Sequence, residues 1–426
     1  MSEQTTEPAT EEPEPTPLPH PAEGVPEVSV TPRQIGAAAD LLASGRGPFA
    51  VDAERASGFR YSNRAYLIQI RRAGAGTVLI DPVGAGADPA ALLRPVAEVL
   101  DDDEWILHAA DQDLACLAEV GMWPKALYDT ELAGRLAGFE RVNLAAMVQR
   151  LLGLGLAKGH GAADWSKRPL PADWLNYAAL DVEVLIDLRQ AVADVLAEQG
   201  KTDWAAQEFN HVRVTDFTTT TRRDRWRRTS GMHKVRDRRG LAAVRELWTV
   251  RDQIAARRDI APGRILPDAA IIAAAIANPT TVEELLALPV FGGPKQRRSA
   301  ATWLAALAAA RDNPEPPEAG ESTTGPPPPS RWARRKPEAA ARLEAARAAL
   351  SAVSERVHVP TENLLTPELV RRLCWDWKPA TSDAAVVIEE FLTAGGARPW
   401  QRELTVPALM AALGAPGGAV PPSAAD

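Results

Sequence analysis

The stretch "FAVDAERASGFRYSNRAYLIQIRR", Phe49 to Arg72, decides the fold class predicted for this chain. Two short apolar runs within it, Phe49–Val51 and Tyr66–Ile70, have the length and side chains typical of buried β-strands. Two acids, Asp52 and Glu54, follow the first run directly. Because residues i and i+2 of a strand project on the same face, these two carboxylates are predicted to converge on one point.

Two interpretations of this acid pair are open at this stage. An isolated D-x-E at the end of an apolar run is usually the place where a strand reaches solvent. The functional interpretation is a cation site, because oxygen ligands are what Mg²⁺ or Mn²⁺ requires.

Strand-like and helical patterns alternate from about residue 31 to about residue 195, which predicts an α/β domain. The first three strand candidates follow one another through short loops and predict a meander, which later strands join through helices. From about residue 239 the patterns are helical only, which predicts all-α bundles. The strand candidates are Phe49–Val51, Tyr66–Ile70, Val78–Ile80 and Trp105–Leu107.

Composition divides the chain into seven predicted segments. Stretches rich in proline, glycine or charge are expected to separate the packed ones. The segments are residues 1–30, a disordered acidic proline-rich tail; 31–215, the α/β domain; 216–239, a basic connector; 240–312, a helical domain; 313–335, a proline-rich linker; 336–415, a second helical domain; and 416–426, a flexible tail.

The two helical domains contain a loosely repeated pattern. Residues 253–271 read "QIAARRDIAPGRILPDAAI" and residues 352–370 read "AVSERVHVPTENLLTPELV". Each has a helix ending in a polar turn, then an apolar residue, a loop led by proline and a leucine before the next helix. We therefore predict that the second domain is a diverged copy of the first.

Whole-chain properties limit the function classes. The chain has 426 residues, enough for two or three domains, and a formal net charge of −8, which argues against a uniformly basic nucleic-acid coat but allows local patches. Its two cysteines, Cys116 and Cys374, support neither a disulfide framework nor a cysteine zinc site. The sequence shows no signal-peptide pattern and no apolar run approaching the roughly 20 residues of a membrane span, so a soluble cytoplasmic protein is predicted.

Acids recur at the ends of two later elements. In "EWILHAADQDLACLAEVG" a predicted strand is followed by a turn and a helix carrying Asp111 and Asp113, positions that acids ordinarily occupy as helix caps. In "DWLNYAALDVEVLIDLRQAV" Tyr177 and Asp181 lie one turn apart on one face of a predicted helix. Taken alone, each pattern has an ordinary structural explanation.

The order of these motifs resembles the DEDDy exonucleases, and within them ribonuclease D. The resembling text covers about residues 31 to 210 and comprises "VDAE", "LHAADQDL", "YDTELAGRL" and "DWSKRPLPADWLNYAALDVEVL". The resemblance implies a ribonuclease H-like mixed sheet flanked by helices. It also implies a 3′→5′ exonuclease that releases nucleoside 5′-monophosphates.

The resemblance also assigns the site residues. It implies that Asp52, Glu54, Asp113 and Asp181 bind two divalent cations, Mg²⁺ or Mn²⁺, and that Tyr177 positions the attacking water. Asp113 is preferred to its neighbour Asp111 because of the family's x-D-L context. Two cations roughly 4 Å apart stabilise both the entering and the leaving oxygen of a phosphodiester.

The helical segments provide the partner prediction. The first, beginning "GLAAVRELWTVRDQIAARRD" at Gly240, resembles an HRDC domain, a small nucleic-acid-binding module, and the second resembles a diverged copy. The preceding stretch "TRRDRWRRTSGMHKVRDRRG" is either a solvated connector or a nucleic-acid contact. Arginines beside a tryptophan suit phosphate contact and base stacking, which favours the contact. The predicted contact residues are Arg222, Arg223, Arg225, Trp226, Arg227 and Arg228.

These observations predict a metal-dependent 3′→5′ exoribonuclease that trims structured RNA such as tRNA precursors. A DNA 3′ exonuclease is one alternative, because no motif reads a 2′-hydroxyl. A nucleic-acid-binding adaptor on an inactive nuclease fold is the other. The complete acid set with Tyr177 argues against the adaptor.

Overall fold

The structure is a computed structural model that describes residues 14–84, 86, 88–157, 159–215, 224–313, 315–317, 325–378 and 383–414. An α/β domain is followed by two helical domains, as the sequence predicts. The strands are β1 Thr16–Leu18, β2 Val28–Ser29, β3 Arg46–Arg55, β4 Ala65–Ala73, β5 Gly76–Ile80, β6 Trp105–Leu107, β7 Leu127–Asp129 and β8 Leu154–Leu156.

The main sheet of the described residues has the strand order β2-β5-β4-β3-β6-β7. Strands β3, β4 and β5 are antiparallel neighbours, whereas β6 and β7 run parallel to β3 and β2 runs parallel to β5. The predicted meander and mixed sheet are therefore confirmed. Helices cover both faces, and they are α1 Pro32–Ala43, α2 Pro89–Leu100, α3 Leu114–Glu119, α4 Thr130–Leu136, α5 Leu144–Leu152, α6 Ala172–Glu183, α7 Leu185–Glu198 and α8 Thr202–Val214.

Strand β3 has two differently covered faces. Phe49, Val51 and Ala53 belong to the apolar core that also contains residues of α1 and α2, while Ala50 lies in the core on the opposite face, with residues of α7. Residues 52 and 54 continue the face of Ala50 by the strand's period of two. The strand runs on to Arg55, so the acid pair lies within it and does not mark its exit into solvent.

Residues 173–192, predicted as one helix, belong to two helices in the structure. The segment forms α6 and α7, with a break at Val184, which is the C-cap of the first helix and the N-cap of the second. Val184 and Leu185 are buried in the core shared with α4 and α8, so the break lets α7 pack beside those helices. Tyr177 and Asp181 both remain on α6, as predicted.

The predicted disorder of the N-terminal tail is wrong for residues 14–30. Strand β1 pairs in parallel with β8, and β2 adds to the sheet beside β5. The side chain of Asn176 also donates to the carbonyl of Pro19 (2.9 Å). Proline is compatible with edge strands because a missing N–H does no harm where it would face solvent. Residues 1–13 lie outside the described part of the chain.

The first helical domain consists of α9 Arg238–Arg258, α10 Pro262–Ile265, α11 Asp268–Ala277, α12 Val282–Leu286 and α13 Pro294–Asp312. The second consists of α14 Trp332–Arg335, α15 Pro337–Val357, α16 Thr361–Leu364, α17 Pro367–Asp376, α18 Ala384–Ala394 and α19 Pro399–Gly414. Each domain has its own apolar core.

The repeated pattern corresponds to a repeated structure. Helices α9 and α15 both have 21 residues, and each ends at a residue in the left-handed conformation, Asp259 (φ 47°) and His358 (φ 51°). A four-residue helix and then a ten-residue helix follow in both domains. The shared order of α9 to α11 and α15 to α17 is consistent with the predicted relation between the two domains, which stays a prediction.

The predicted linker packs in part against the second domain. Trp332 is fully buried in that domain's core, and its indole N–H donates to the carbonyl of Pro327 (2.6 Å). Arg371 donates to the carbonyls of Pro326 and Pro327 (3.0 and 3.1 Å). Prolines keep their carbonyl acceptors, so a proline-rich segment can still be tied down by donors from a helix. Residues 314, 318–324 and 415–426 lie outside the described residues.

The two helical domains attach to different elements of the α/β domain. The first contacts the loop between β3 and β4, where Ala261 N donates to Phe59 O (3.0 Å) and Arg264 Nε donates to Gly58 O (2.7 Å). The second contacts α8, where Arg398 donates to both carboxylate oxygens of Glu208 (2.6 and 2.7 Å). No helix among the described residues combines the length and apolar character needed to cross a membrane.

Candidate active site

Three of the predicted acids meet at one point. Carboxylate oxygens of Asp52, Glu54 and Asp181 lie within 4.8 Å of one another. The first two project from β3, and Asp181 comes from α6, which packs across β3 and β4. Carboxylates that are more than 120 residues apart in the sequence thus meet, on the face of β3 that apolar side chains leave uncovered.

The fourth predicted acid, Asp113, adjoins this group, and its neighbour does not. Asp113 is 5% exposed, shares a hydrogen bond with the Asp52 carboxyl, and has Oδ1 3.5 Å from Arg55 Nε. Asp111 is exposed and does not line the site cavity. The predicted helix carrying both acids is corrected: Asp111 lies in a short 3₁₀ turn, and Asp113 joins that turn to α3. This geometry supports the choice of Asp113.

A buried aspartate of the motif "YDTELAGRL", Asp129, holds the turn before Asp113. Its carboxylate accepts hydrogen bonds from Ala109 N (3.1 Å) and Ala110 N (2.8 Å), and also caps α4 through Glu131 N and Leu132 N. Ala109 has a φ of 61°, a conformation that a residue with a Cβ adopts only when its surroundings enforce it. We infer that Asp129 is a positioning residue for Asp113.

Tyr177 lies beside Asp181, one turn earlier on α6. Its hydroxyl hydrogen-bonds to the Asp181 carboxylate. The glycine loop opposite leaves space for the ring: a Cβ at Gly159 would lie 1.6 Å from a ring carbon, and one at Gly161 would lie 3.6 Å from the hydroxyl. Glycine at position 159 is therefore needed for this ring placement.

The loop that carries these glycines is fixed by Arg168. Its guanidinium donates to the buried Asp81 carboxylate (2.6 Å), to the carbonyl of Tyr66 (2.8 Å) and to the carbonyl of Trp165 (2.7 Å). These bonds tie the loop to β4 and to the end of β5. The loop therefore presents a fixed wall to Tyr177.

Burial sets the electrostatics of the acid group. It raises the pKa of Asp52, Asp113 and Asp181, and it raises the pKa of Glu54 to about 10, with the charges of Asp52, Asp181 and Asp113 adding to the effect. The positive charge of Arg55 acts in the opposite direction and favours a lower pKa for Asp52, Glu54 and Asp113. Clustered buried carboxylates of this kind are expected where a cation supplies the missing charge.

The donors fit a hard divalent cation. All four are carboxylates, which suit Mg²⁺ or Mn²⁺, and neither cysteine nor histidine belongs to the group among the described residues. Three of them can reach a single point. The acid cluster is thus suited to divalent-metal binding.

The acids line a cavity of about 760 Å³. Residues that the sequence reasoning missed also line it, and they include Arg55, His108, Gln112, Arg141 and Asn143. Arg55 could have been noticed, because it follows the D-x-E directly. His108 has no comparable local signal; in the structure it hydrogen-bonds with Thr130 Oγ1 (2.9 Å), and burial lowers its pKa to about 4.

Comparison with known proteins agrees with this architecture. Residues 30–197 match the family model described as 3′-5′ exonuclease, residues 240–307 match the HRDC domain, and residues 325–413 match the 3′ to 5′ exonuclease C-terminal domain. Ribonuclease D of Nitrobacter hamburgensis is 32% identical over 216 residues, which are 50% of this chain and 55% of that protein. The chain therefore contains a 3′-5′ exonuclease domain and an HRDC domain, and about half of it is similar to ribonuclease D.

Two solved structures extend the likeness over most of the chain. A protein from Bifidobacterium adolescentis is 37% identical with a TM-score of 0.85, covering 94% of this chain and all of that one. Escherichia coli RNase D has a TM-score of 0.66 over 91% of this chain and 98% of its own, at 23% identity, which shows the shared fold. The sequence match to the N. hamburgensis ribonuclease D, by contrast, spans about half of that protein's length.

The predicted nucleic-acid contact is corrected at Trp226. This side chain is 5% exposed and packs in the core of the first helical domain, so it cannot stack on a base. Arg227 lies over its ring (4.4 Å) and pairs with Asp224, whereas Arg225 and Arg228 are exposed. An aromatic ring near an apolar bundle is stabilised more by burial than by solvent exposure. Arg222 and Arg223 lie outside the described residues.

Proposed function

We propose that this protein is a metal-dependent 3′→5′ exoribonuclease that hydrolyses phosphodiester bonds one nucleotide at a time. The observation that carries the proposal is the meeting of Asp52, Glu54 and Asp181 within 4.8 Å, with Asp113 and Tyr177 beside them, in one open cavity. The family match of residues 30–197 gives the reaction class.

In this proposal the four carboxylates hold two divalent cations. Two cations held there would supply an activated water and charge stabilisation on both the entering and the leaving oxygen. Glu54 and Asp52 provide oxygens on one face of a rigid strand, and Asp181 approaches from α6. The burial that raises the pKa values of these groups also strengthens their attraction for a cation, because the local dielectric is low.

Tyr177 positions the attacking water. Its hydroxyl proton is directed at Asp181, so the oxygen lone pairs remain available to accept a hydrogen bond from a water molecule. Tyr177 itself stays protonated, because burial and the Asp181 charge raise its pKa above the usual range. Alignment of the water along the line of attack is therefore its contribution, and it does not act as a base.

We further propose that the substrate is structured RNA such as a tRNA precursor, in the cytoplasm, and that the products are nucleoside 5′-monophosphates. The E. coli relative is described as an exoribonuclease involved in structured RNA processing. The HRDC match adds a nucleic-acid-binding module next to the cavity. DNA of the same sequence is the competing substrate in the test.

The test is hydrolysis of 3′-labelled RNA and sequence-matched DNA by the full chain, with Mg²⁺, with Mn²⁺ and with EDTA. We expect labelled 5′-monophosphate to appear first from RNA, with either metal and not with EDTA. Faster release from DNA would overturn the RNA assignment. Absence of hydrolysis with both nucleic acids and both metals would overturn the exonuclease itself.

A further inference from the structure

A second large cavity lies between the α/β domain and the first helical domain. Its volume is about 690 Å³, close to that of the acid cavity. The β3–β4 loop contributes Phe59 and Arg60 to its wall, and the loop before α6 contributes Asp164. The remaining lining residues belong to the helical domain, on α9, α10, α13 and the segment between the first two. We call this cavity the basic cleft.

The cleft concentrates positive charge in a chain whose net charge is −8. Its single acid, Asp164, already accepts a hydrogen bond from Ser166 Oγ (2.6 Å). None of the cleft's cations forms an ion pair with an acid among the described residues. The five cations are Arg60, Arg258, Arg264, Lys295 and Arg298.

The floor of the cleft is apolar and preformed. Ile254, Ile260 and Ile265 line it beside the buried ring of Trp303. The Trp303 indole N–H donates to the side-chain oxygen of Gln296 (2.9 Å), and the Gln296 amide donates to the carbonyl of Ile265 (2.7 Å). These bonds fix α13 against α10, so the cations are mounted on a packed surface.

The two walls of the cleft are fixed to each other. Besides the bonds from Ala261 and Arg264 to the β3–β4 loop, Ser62 N donates to Asp259 Oδ1 (2.8 Å) and Tyr61 Oη donates to Asp252 Oδ2 (3.0 Å). Asp252 of α9 and its C-cap Asp259 thus bond to the other domain, whereas Arg258 at the end of the same helix lines the cavity.

The cleft also adjoins the acid cavity through the chain itself. Asp164 follows Gly161, which lines the acid cavity, by three residues, a span of at most about 11 Å. Phe59 follows Glu54 by five residues, a span of at most about 18 Å. A strand whose 3′ end lies at the acids is therefore within reach of the cleft.

We propose that the basic cleft binds the phosphodiester backbone of single-stranded RNA on the 5′ side of the nucleotide being removed. The inference rests on the proposed function, which places a 3′ end at the acids. Exposed cations over an apolar floor suit this ligand, because the guanidinium groups contact phosphates while ribose and base surfaces pack on the isoleucines. Trp226 does not take part.

The chain offers a matched pair of double variants. Arg258→Ala with Arg298→Ala removes two charges from the cleft. Arg257→Ala with Arg297→Ala removes two exposed charges from adjacent positions of the same helices, outside the cleft lining. Both variants change the net charge equally. Their thermal unfolding midpoints should match that of the wild type, since all four side chains are exposed.

The first measurement is affinity for a labelled single-stranded RNA of about 16 nucleotides, a length that a single-strand site can cover. It is made in EDTA across a salt series. For the cleft variant we expect the slope of log affinity against log salt to become shallower by about 1.4, from two lost contacts at about 0.7 each. The control variant should keep the wild-type slope. Equal slopes for wild type and cleft variant, or equal flattening in both variants, would overturn the proposal.

The second measurement is hydrolysis of that RNA and of a dinucleotide, whose single phosphodiester lies at the acids and leaves no further backbone for the cleft. We expect the cleft variant to raise KM for the longer RNA at unchanged kcat and to leave the dinucleotide rate unchanged. An equal loss on both substrates would contradict the assignment. Failure of wild-type protein to hydrolyse either substrate would count against the proposed function, whereas the salt series in EDTA tests the cleft independently of hydrolysis.

Discussion

The acid cavity and the basic cleft have nearly equal volumes, about 760 and 690 Å³, and opposite chemistry. The four clustered carboxylates of the acid cavity come from one domain and are buried or half-buried, with Glu54 and Asp113 at 6% and 5% exposure. The charges of the cleft are largely exposed and come from two domains, as Arg258 and Arg298 show. The comparison separates strong local binding of cations, which suits buried carboxylates, from reversible binding of a long anion, which suits exposed arginines.

The physical reason is the screening of charge by solvent. Buried carboxylates interact strongly with a cation and with one another, and salt screens them little. Exposed arginines bind phosphate by displacing counterions, so their contribution falls as salt rises. Turnover should therefore depend on the acid cavity, and salt-dependent affinity should depend on the cleft.

The largest expected effect is on the acid cavity. Asp52→Asn or Asp113→Asn should lower kcat by about 10³-fold, corresponding to about 4 kcal/mol of lost transition-state stabilisation by the metal site. The slope of RNA affinity against salt should not change, since the cleft is intact. Single-turnover hydrolysis and the salt series measure the two effects.

Asp111→Asn is the matched control for this prediction, because Asp111 is exposed, lies two residues from Asp113 and does not line the cavity. It should keep the wild-type rate. A rate loss at Asp111 equal to that at Asp113 would mean that the assignment of the fourth carboxylate is wrong.

A smaller loss is expected at Tyr177. Tyr177→Phe removes one hydroxyl and no charge, so the cation-binding carboxylates remain, and kcat should fall by about 10²-fold through poorer alignment of the water. KM should be nearly unchanged. Wild-type turnover by this variant would remove Tyr177 from the mechanism, and loss of metal-induced thermal stabilisation would show that its role is structural.

The smallest expected effect is the pH dependence of stability without metal. Burial first, and neighbouring carboxylates next, raise the pKa of Glu54 to about 10, above its usual value of about 4.3 in an unfolded chain. The folded state therefore binds more protons than the unfolded state between these values, and stability should fall as pH rises through this window. Because the ligands must be deprotonated to bind metal, Mg²⁺ should raise the unfolding midpoint more at pH 9 than at pH 5.

Thermal unfolding in EDTA and in Mg²⁺ at both pH values measures this effect. Each kcal/mol corresponds to about 2–4 °C for domains of this size. Glu54→Gln is the control, since it keeps the shape of the side chain and removes its titration, so its midpoint in EDTA should depend less on pH. An equal Mg²⁺ effect at pH 5 and pH 9 would contradict the account.

Most of the candidate site could be predicted from the order of its motifs, and the arrangement within each motif follows from local backbone geometry. The two-residue period of a strand places Asp52 and Glu54 on one face, and the helical turn places Tyr177 beside Asp181. The repeated helical pattern likewise predicts where its long helices end, and in the structure they end at Asp259 and His358, which have left-handed backbone conformations. In each case backbone geometry within a few residues decides the arrangement.

Tertiary structure alone decided the features that depend on distant partners. Trp226 looked like a stacking residue among arginines, yet its burial depends on helices of the first helical domain that follow it. The proline-rich start formed edge strands because β5 and β8 offered free edges. The turn before Asp113 is held by hydrogen bonds from Ala109 N and Ala110 N to Asp129, a residue of the neighbouring strand β7.

The basic cleft is the clearest feature that the sequence alone could not predict. Arg60 and Arg298 are 238 positions apart in the sequence, and no local pattern joins them. They face one cavity because hydrogen bonds from Ala261 and Arg264 fix the helical domain to the β3–β4 loop. The sequence by itself determined which side chains each strand and helix presents, since those periods are set by covalent geometry. Which of those faces meet was decided by long-range packing, because the free energy of burial depends on the whole set of elements.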